Sequence, residues 1–456
     1  MTDMMPLRGP HECSLPISFP QMTPESRKIR LLSSTRILQQ AGWLAGAKIT
    51  QGIAGILATF AVARHLGPGV FGQLSLAIAV ASFVATAATL GLEHIATREL
   101  ASGSVRSPLK TLFRLRILGG ASGTALLLCA ASLTAARSGD FASLLLVLSL
   151  LPLVQAGDVA EWRLIAAGQS RRVAIIVIAV SPIAAFVRLW MALEGVHVLA
   201  FCWILIAEWA IRSAALQVAT GGLLSDHRPA TSEFVADARA LLRDSMPLLM
   251  SGIAVFIYMR VDQFMIAGML GTEQVGLYSA VVTLAEAPLV LPALLLRAAL
   301  PILTKESEID PAIRDRTLST LMRAMFYLHA LIALGLSLFS EPIIVFLYGE
   351  PFRAAAAAFS LQVLAAPFVA LGVLSAAWLV LERCTGHALR RTLIGAVSNV
   401  LLNLLLIPRF GIAGAAAATL FAQLLATYVA DVFFARTRDL FMMKTWALFP
   451  LYRWRA

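Results

Sequence analysis

The sequence predicts an all-α polytopic membrane protein with about twelve transmembrane helices in two pseudo-symmetric six-helix bundles. Three observations predict it: an excess of apolar residues, a turn that occurs twice, and an alternation of basic residues between successive loops. Of the 456 residues, 59% are hydrophobic and 14% charged, and the mean hydropathy is +0.80. A soluble domain carries about 25% charged residues, so this chain belongs in a bilayer, where its length accommodates about twelve spans of about 20 residues each. Leu66, Gly67, Gly72 and Ser75 in HLGPGVFGQLS match Leu270, Gly271, Gly276 and Ser279 in MLGTEQVGLYS at one constant offset. Each copy closes one long apolar segment and opens the next. That is the trace of a chain built from two similar halves, which in transporters meet around a central path.

Taken in order, residues 1–40 hold Pro6, Pro10, Pro16, Pro20 and Pro24 among scattered basic residues. They read as a disordered cytoplasmic tail and not as a signal peptide. Met22 offers a second start within it. Residues 41–218 form the first bundle, with spans expected near 42–64, 71–93, 113–135, 141–159, 173–193 and 197–218. Residues 219–245 read as a polar amphipathic linker on the cytoplasmic side. Residues 246–434 form the second bundle, with spans near 246–269, 277–302, 319–340, 357–381, 392–408 and 411–434. Asp244 and Ser245 before Pro247 make a good start for the seventh helix, because a capping oxygen and a first-turn proline serve the unsatisfied amides. Pro182, Pro288, Pro292 and Pro367 fall inside spans and predict bent or broken helices. The basic, aromatic segment 435–456 reads as an interfacial helix on the inner leaflet.

The net charge of +11 belongs to topology and not to nucleic acid. With the N-terminus inside, the external loops hold only Arg137, Arg353 and Arg409, while most of the other basic residues fall in cytoplasmic segments. That bias places both termini in the cytoplasm. Cys13, Cys129, Cys202 and Cys384 have no paired spacing, so neither a disulfide framework nor a metal motif is expected.

The residues that could carry function are the charges inside spans. A charge at the centre of a lipid-facing helix costs about 3 kcal/mol on insertion scales, so such residues face protein or a wet lumen. Arg260 and Asp262, two positions apart, point to different helix faces and cannot neutralise one another. Glu286 and Arg297 share a face but lie about 16 Å apart along the axis, which suits a lumen stripe better than a salt bridge. Lys48 has no acid on its own helix and needs a partner from another helix or a ligand, unless it snorkels to the headgroups. Glu208 and Arg212, at i and i+4, are expected to pair within their helix. Arg64 reads as a residue of the outer boundary. Cations outnumber acids, so a lumen that they line is positive.

No catalytic constellation is present: there is no Walker or GxSxG pattern, and the external loops are short, which argues against an enzyme and against direct use of ATP. The stretches IYMRVDQFMIAGMLGTEQVGLYSAVVTLAEAPLVLP, ARHLGPGVFGQLSLA, FLYGEPFRAAAAAFSLQVLA and LLLIPRFGIAGAAAATLFAQLL occur in an order that resembles the Wzx-type oligosaccharide flippases. These form a branch of the multidrug/oligosaccharidyl-lipid/polysaccharide exporter superfamily, and the likeness extends over about residues 40–435. The resemblance implies a MATE-like pair of bundles that open alternately to each side and carry a polyprenyl-pyrophosphate-linked oligosaccharide across the cytoplasmic (inner) membrane, for O-antigen, capsule or exopolysaccharide. It implies that Arg260, Asp262 and Gln263 form the family's arginine-x-aspartate-glutamine motif. Many relatives have two further helices, and many carry an arginine shortly after the YSA motif, where this chain has Thr283, Leu284 and Ala285.

The candidate substrate-binding residues are therefore Lys48, Arg260, Asp262, Gln263, Glu286 and Arg297, with no metal and no cofactor. Coupling to a proton or sodium gradient would run through Asp262 or Glu286. The expected partners are the lipid-linked oligosaccharide and membrane lipids, together with a polysaccharide polymerase and a chain-length regulator. Two rival readings are a multidrug exporter of the same superfamily and a membrane enzyme of glycan assembly.

Overall fold

The computed structural model describes residues 24–102, 108–136, 138–221 and 231–449, and no strand occurs among them. The first part of the chain forms α1 (Pro24–Ala88), α2 (Leu92–Ser102), α3 (Pro108–Ala135), α4 (Gly139–Leu148), α5 (Leu151–Val154), α6 (Val159–Ala166), α7 (Ser170–Leu193) and α8 (Val198–Ala219). The second part forms α9 (Thr231–Leu270), α10 (Thr272–Glu286), α11 (Val290–Ile309), α12 (Pro311–Leu338), α13 (Ser340–Tyr348), α14 (Ala356–Val363), α15 (Ala366–Leu381), α16 (Thr385–Thr427) and α17 (Arg438–Leu448).

Nine helices among the described residues are long and apolar enough to cross a membrane, or ten when Glu350–Val363 and Ala366–Leu381, bent by 40°, count as one span. The expected number was about twelve, and the difference lies at two glycines. Gln39–Ala88 runs for 50 residues and Gly386–Val432 for 47, lengths of about 70–75 Å at 1.5 Å per residue. A hydrocarbon core is about 30 Å thick. Gly67 within the first (φ 70°) and Gly411 within the second (φ 58°) leave the helical region, at the points where the sequence places a turn between two spans. Helical hydrogen bonding closes up to each glycine from both sides, so each pair counts once.

The repeated turn is also where the two parts of the chain meet. A Cβ added at Gly72 would stand 1.8 Å from the carbonyl oxygen of Thr272 and 2.8 Å from the amide of Gly276; one at Gly276 would stand 1.9 Å from the carbonyl of Pro68 and 2.9 Å from the amide of Gly72. Pro68 and Thr272 are themselves equivalent in the repeat. The contact is reciprocal, as a two-fold axis demands, and only glycine lets the backbones approach so closely. The largest apolar cluster surrounds this crossing, with Phe71, Leu74 and Leu148 on one side and Tyr278, Val281 and Phe352 on the other.

Three boundaries differ from the sequence reading. α1 begins at Pro24, so the stretch expected to be a disordered tail is helical from there on; proline suits a first turn, and the residues that follow are good helix formers. Residues 1–23 lie outside the described residues. Pro247 does not start a helix but lies inside α9, because the expected linker is apolar on one face. Phe234, Ala238, Leu241 and Leu242 pack on Leu112, Leu115 and Leu216 of the first part, which draws the helix back to Thr231; positions 222–230 lie outside the described residues. The terminal segment forms α17, which is seated on the second part of the chain. Leu440, Met443 and Ala447 of α17 pack with Leu318, Met322 and Leu374, and positions 450–456 lie outside the described residues. Of the four span prolines, Pro288 lies in the 3-10 turn between α10 and α11, Pro292 in the first turn of α11 and Pro367 at the first turn of α15 beside the 40° bend, whereas α7 continues through Pro182.

Candidate functional site

The site is built where α9 and α10, joined at Gly271, run back along one another and meet α14, α15 and α16. Apolar positions of α10 from Val275 to Val282 are buried, which anchors the helix and turns Tyr278 toward α9. Asp262 is 6% exposed. Its carboxylate accepts the phenol hydroxyl of Tyr278 at 2.5 Å and the amide of Gln263 at 2.8 Å. The Gln263 side chain donates to the Ser279 hydroxyl at 3.5 Å. Two positions earlier, Arg260 turns to another face, as the spacing requires, and its guanidinium lies 3.5 Å from Glu286, with both side chains about one-third exposed.

Asp262 and Glu286 open into a cavity of about 90 Å³, lined also by Tyr258, Gln362, Asn399, Thr419 and Gln423. Asn403 donates to Asn399 at 3.0 Å, and Asn399 donates to Thr419 at 3.4 Å. The buried Gln362 Oε1 and Asn403 Oδ1 have no hydrogen-bond partner. Buried oxygens normally find a partner, and the space here holds several waters or one small cation but no sugar. The arrangement is two carboxylates and a ring of amide and hydroxyl oxygens, which can receive a proton or a hard cation. No group of three or more His, Cys, Asp or Glu with metal-binding geometry occurs among the described residues.

The structure thus brings four of the six sequence-predicted residues together: Arg260, Asp262, Gln263 and Glu286. Lys48 on α1 and Arg297 on α11 are exposed and make no hydrogen bond or ion pair among the described residues. The expected pairing of Glu208 with Arg212 does not occur. Glu208 binds Arg188 of α7, and Arg212 binds Glu161 of α6, because partners on neighbouring helices bring their charged ends into direct contact and zip α8 to both. Arg64 donates to the Phe346 carbonyl at 3.2 Å and is exposed. The cavity wall holds acids where a positive lumen was expected; the cations stand beside it or elsewhere. Sequence reasoning missed Tyr278, Asn399, Asn403 and Thr419. The amides of Asn399 and Asn403, four apart in the apolar run VSNVLLNLLL, were the available signal.

Solved structures with the same fold include "Lipid II flippase MurJ, inward closed conformation" (15% identity, 88% of this chain and 90% of that one, TM-score 0.65). An inward-facing multidrug resistance MATE family transporter of the MOP superfamily shares 14% identity over 88% of this chain and 99% of the other, with a TM-score of 0.68. A MOP superfamily transporter from Pyrococcus furiosus, described as having a binding pocket of reverse polarity, shares 14% over 89% and 95%, with a TM-score of 0.61. At such identities the likeness is one of fold, that of a multi-pass membrane transporter. No curated protein matches the sequence. The family described as "Polysaccharide biosynthesis protein" matches residues 37–307, well over half of the chain. The chain belongs to the polysaccharide biosynthesis protein family.

Proposed function

We propose that this protein is a flippase that moves a polyprenyl-pyrophosphate-linked oligosaccharide across the inner membrane by alternating access, for O-antigen, capsule or exopolysaccharide. The observation that carries the reading is membership of a polysaccharide biosynthesis family on a transporter fold. The physical logic supports it: the lipid tail of such a substrate stays in the bilayer, while its diphosphate and sugars need a wet, cationic path. Arg260 suits that path, because its partly exposed fork binds two phosphate oxygens at once and stays charged at any depth. Asp262 and its oxygen-lined cavity are the place where a proton or sodium ion would couple to the movement. Product sugars pass to a polymerase and a chain-length regulator.

Both termini are cytoplasmic in this reading, from the distribution of Lys and Arg. A reporter active only outside the cytoplasm should work when fused near Thr272 and fail near Thr385; the reverse pattern sinks the topology.

A second reading, export of cationic drugs, is favoured by the fold likeness to multidrug transporters and by the two acids that line the cavity. One deletion strain separates the two. The flippase reading expects lipid-linked glycan stranded on the inner leaflet, reduced surface polysaccharide and intact sugar synthesis. Sensitivity to cationic dyes with unchanged surface glycan would establish the drug exporter instead.

A further inference from the structure

A second cavity, much larger than the one beside Asp262, opens on the first half of the chain. It lies where the start of the first span, on α1, passes the first turn of α7, and it measures about 1060 Å³. Small-molecule sites measure about 300–1,000 Å³, so this one has room for a sugar-bearing headgroup. Its wall contains Trp43, Arg171, Gln39, Gln40 and Thr50 and, among the described residues, no carboxylate.

The Arg171 guanidinium stands 5.3 Å from the centroid of the Trp43 ring, within the range of a cation–π contact. Arg171 makes no hydrogen bond or ion pair among the described residues, so its five N–H donors are free for an anion. Gln40 is held by its amide, which donates to the Gly168 carbonyl at 3.0 Å, and its amide oxygen remains an acceptor. Gly46 contributes no side chain, and a Cβ there would meet nothing within 4 Å. Open backbone at this point makes room.

We infer that this cavity is a docking subsite for the sugar–diphosphate headgroup of the lipid-linked glycan, with Arg171 holding the diphosphate and the Trp43 ring carrying a pyranose face. The inference rests on the function proposed above and adds to it a place, on the first half of the chain, where the headgroup is taken up. The chemistry selects this ligand. A free guanidinium with no acid beside it calls for an anion, and its planar fork matches phosphate oxygens. The electron-rich face of an indole attracts the weakly positive C–H groups of a sugar ring, while glutamine and threonine side chains both donate to and accept from hydroxyls. A free phosphate would occupy a small part of the volume and would leave the indole idle. A glycerophospholipid headgroup would use Arg171 but offers the indole no ring.

The test is binding of farnesyl diphosphate-linked N-acetylglucosamine to the full-length protein in nanodiscs, with farnesyl diphosphate as the sugar-free comparison. Arg171→Gln should weaken both probes about tenfold or more, since a charge-assisted contact is lost. Trp43→Leu and Gly46→Leu should weaken the sugar-bearing probe selectively, and Trp43→Phe, which retains a ring, should restore most of the affinity. That restoration, with a monodisperse elution profile, separates loss of the site from loss of the fold. If the unaltered protein binds the sugar-bearing probe and all variants bind it equally well, the subsite is wrong and the function stands. If the unaltered protein binds neither probe, the proposed function fails and the subsite with it. If phosphatidylglycerol in the nanodisc displaces the probe with the same dependence on Arg171 and no dependence on Trp43, the cavity holds a membrane lipid headgroup and the inference is overturned.

Discussion

Arg116 in the first half and Arg260 in the second live in opposite circumstances. In the first half, Arg116 has no exposed side-chain surface; it donates to the Ala88 carbonyl at 2.6 Å and the Gln155 carbonyl at 2.9 Å and stands 3.8 Å from Asp158. Arg188 and Arg212 are likewise closed off by Glu208 and Glu161. In the second half, Arg260 faces Glu286 across 3.5 Å, and both remain about one-third exposed. The first set ties α3, α6, α7 and α8 together with fixed acceptors. Arg260 keeps donors to spare. The difference teaches that a charge within a span is not by itself a sign of transport: a buried guanidinium held by fixed acceptors is a structural tie, whereas one with a loose partner can exchange it for a ligand.

The sharpest way to break that contrast is Arg116→Ala. It leaves two buried carbonyls and Asp158 without their donor, and removing one member of a buried pair costs about 3–5 kcal/mol. Arg116→Lys should recover little, since one ammonium cannot serve three acceptors spread around a planar fork. Thermal unfolding in detergent and the amount of protein in the membrane check this. A loss under about 1 kcal/mol would mean that solvent reaches the site and that Arg116 is not a tie.

A second buried tie tests whether closed networks also fix the end of the chain. Lys444 on α17 is fully buried and donates to Asp431 and to the Thr427 carbonyl, both at 2.6 Å, while Arg391 stands 3.8 Å from Asp431. Burial, with the charge of Arg391 adding to it and Asp431 opposing it, pushes the Lys444 ammonium down to about 7, against about 10.4 in an unfolded chain. Between those values the unfolded chain holds a proton that the folded one has released, so stability rises with pH across that window, by at most about 1.4 kcal/mol per unit. Below pH 7 both states are protonated and the dependence vanishes. Lys444→Met should flatten the profile measured by thermal unfolding between pH 6.5 and 10; an unchanged slope would assign it to another group.

The legible part of this molecule was what hydropathy and turns record. The repeated turn was read from sequence, and the second glycine of each copy proves to make the Gly72–Gly276 crossing, because close backbone approach demands glycine in both copies. The separation of Arg260 from Asp262 was legible as well, since helical spacing alone decides it. Partners were not. Nothing in the sequence says that Glu208 prefers Arg188 to Arg212, because that choice depends on how α7 and α8 lie against each other. Nor does apolar periodicity reveal that Phe234 and Leu241 seat the expected linker on the first half, or that Asn399 of α16 shares a cavity with Asp262 of α9. The Lys48 assignment followed from the lack of an acid on its own helix and the Arg297 assignment from a face shared with Glu286, and the structure leaves both without a partner among the described residues.

The smallest expected change in stability accompanies the largest expected change in transport. A partly exposed pair such as Arg260–Glu286 contributes roughly 0–1 kcal/mol, so Arg260→Ala should leave the protein in the membrane at a near-normal level and unfolding within that margin of the unaltered chain. Glycan export should nevertheless be lost, because the removed group is the one whose donors are not committed to the fold. Arg260→Lys keeps the charge but not the fork, and should restore export in part. The pair of measurements separates the two kinds of arginine directly. If Arg260→Ala unfolds as readily as Arg116→Ala, Arg260 is another tie and the contrast with Arg116 collapses. If it remains stable and exports glycan normally, the residue neither ties nor grips, and the path for the diphosphate must run past other cations, with Arg297, also unpaired among the described residues, the next to replace.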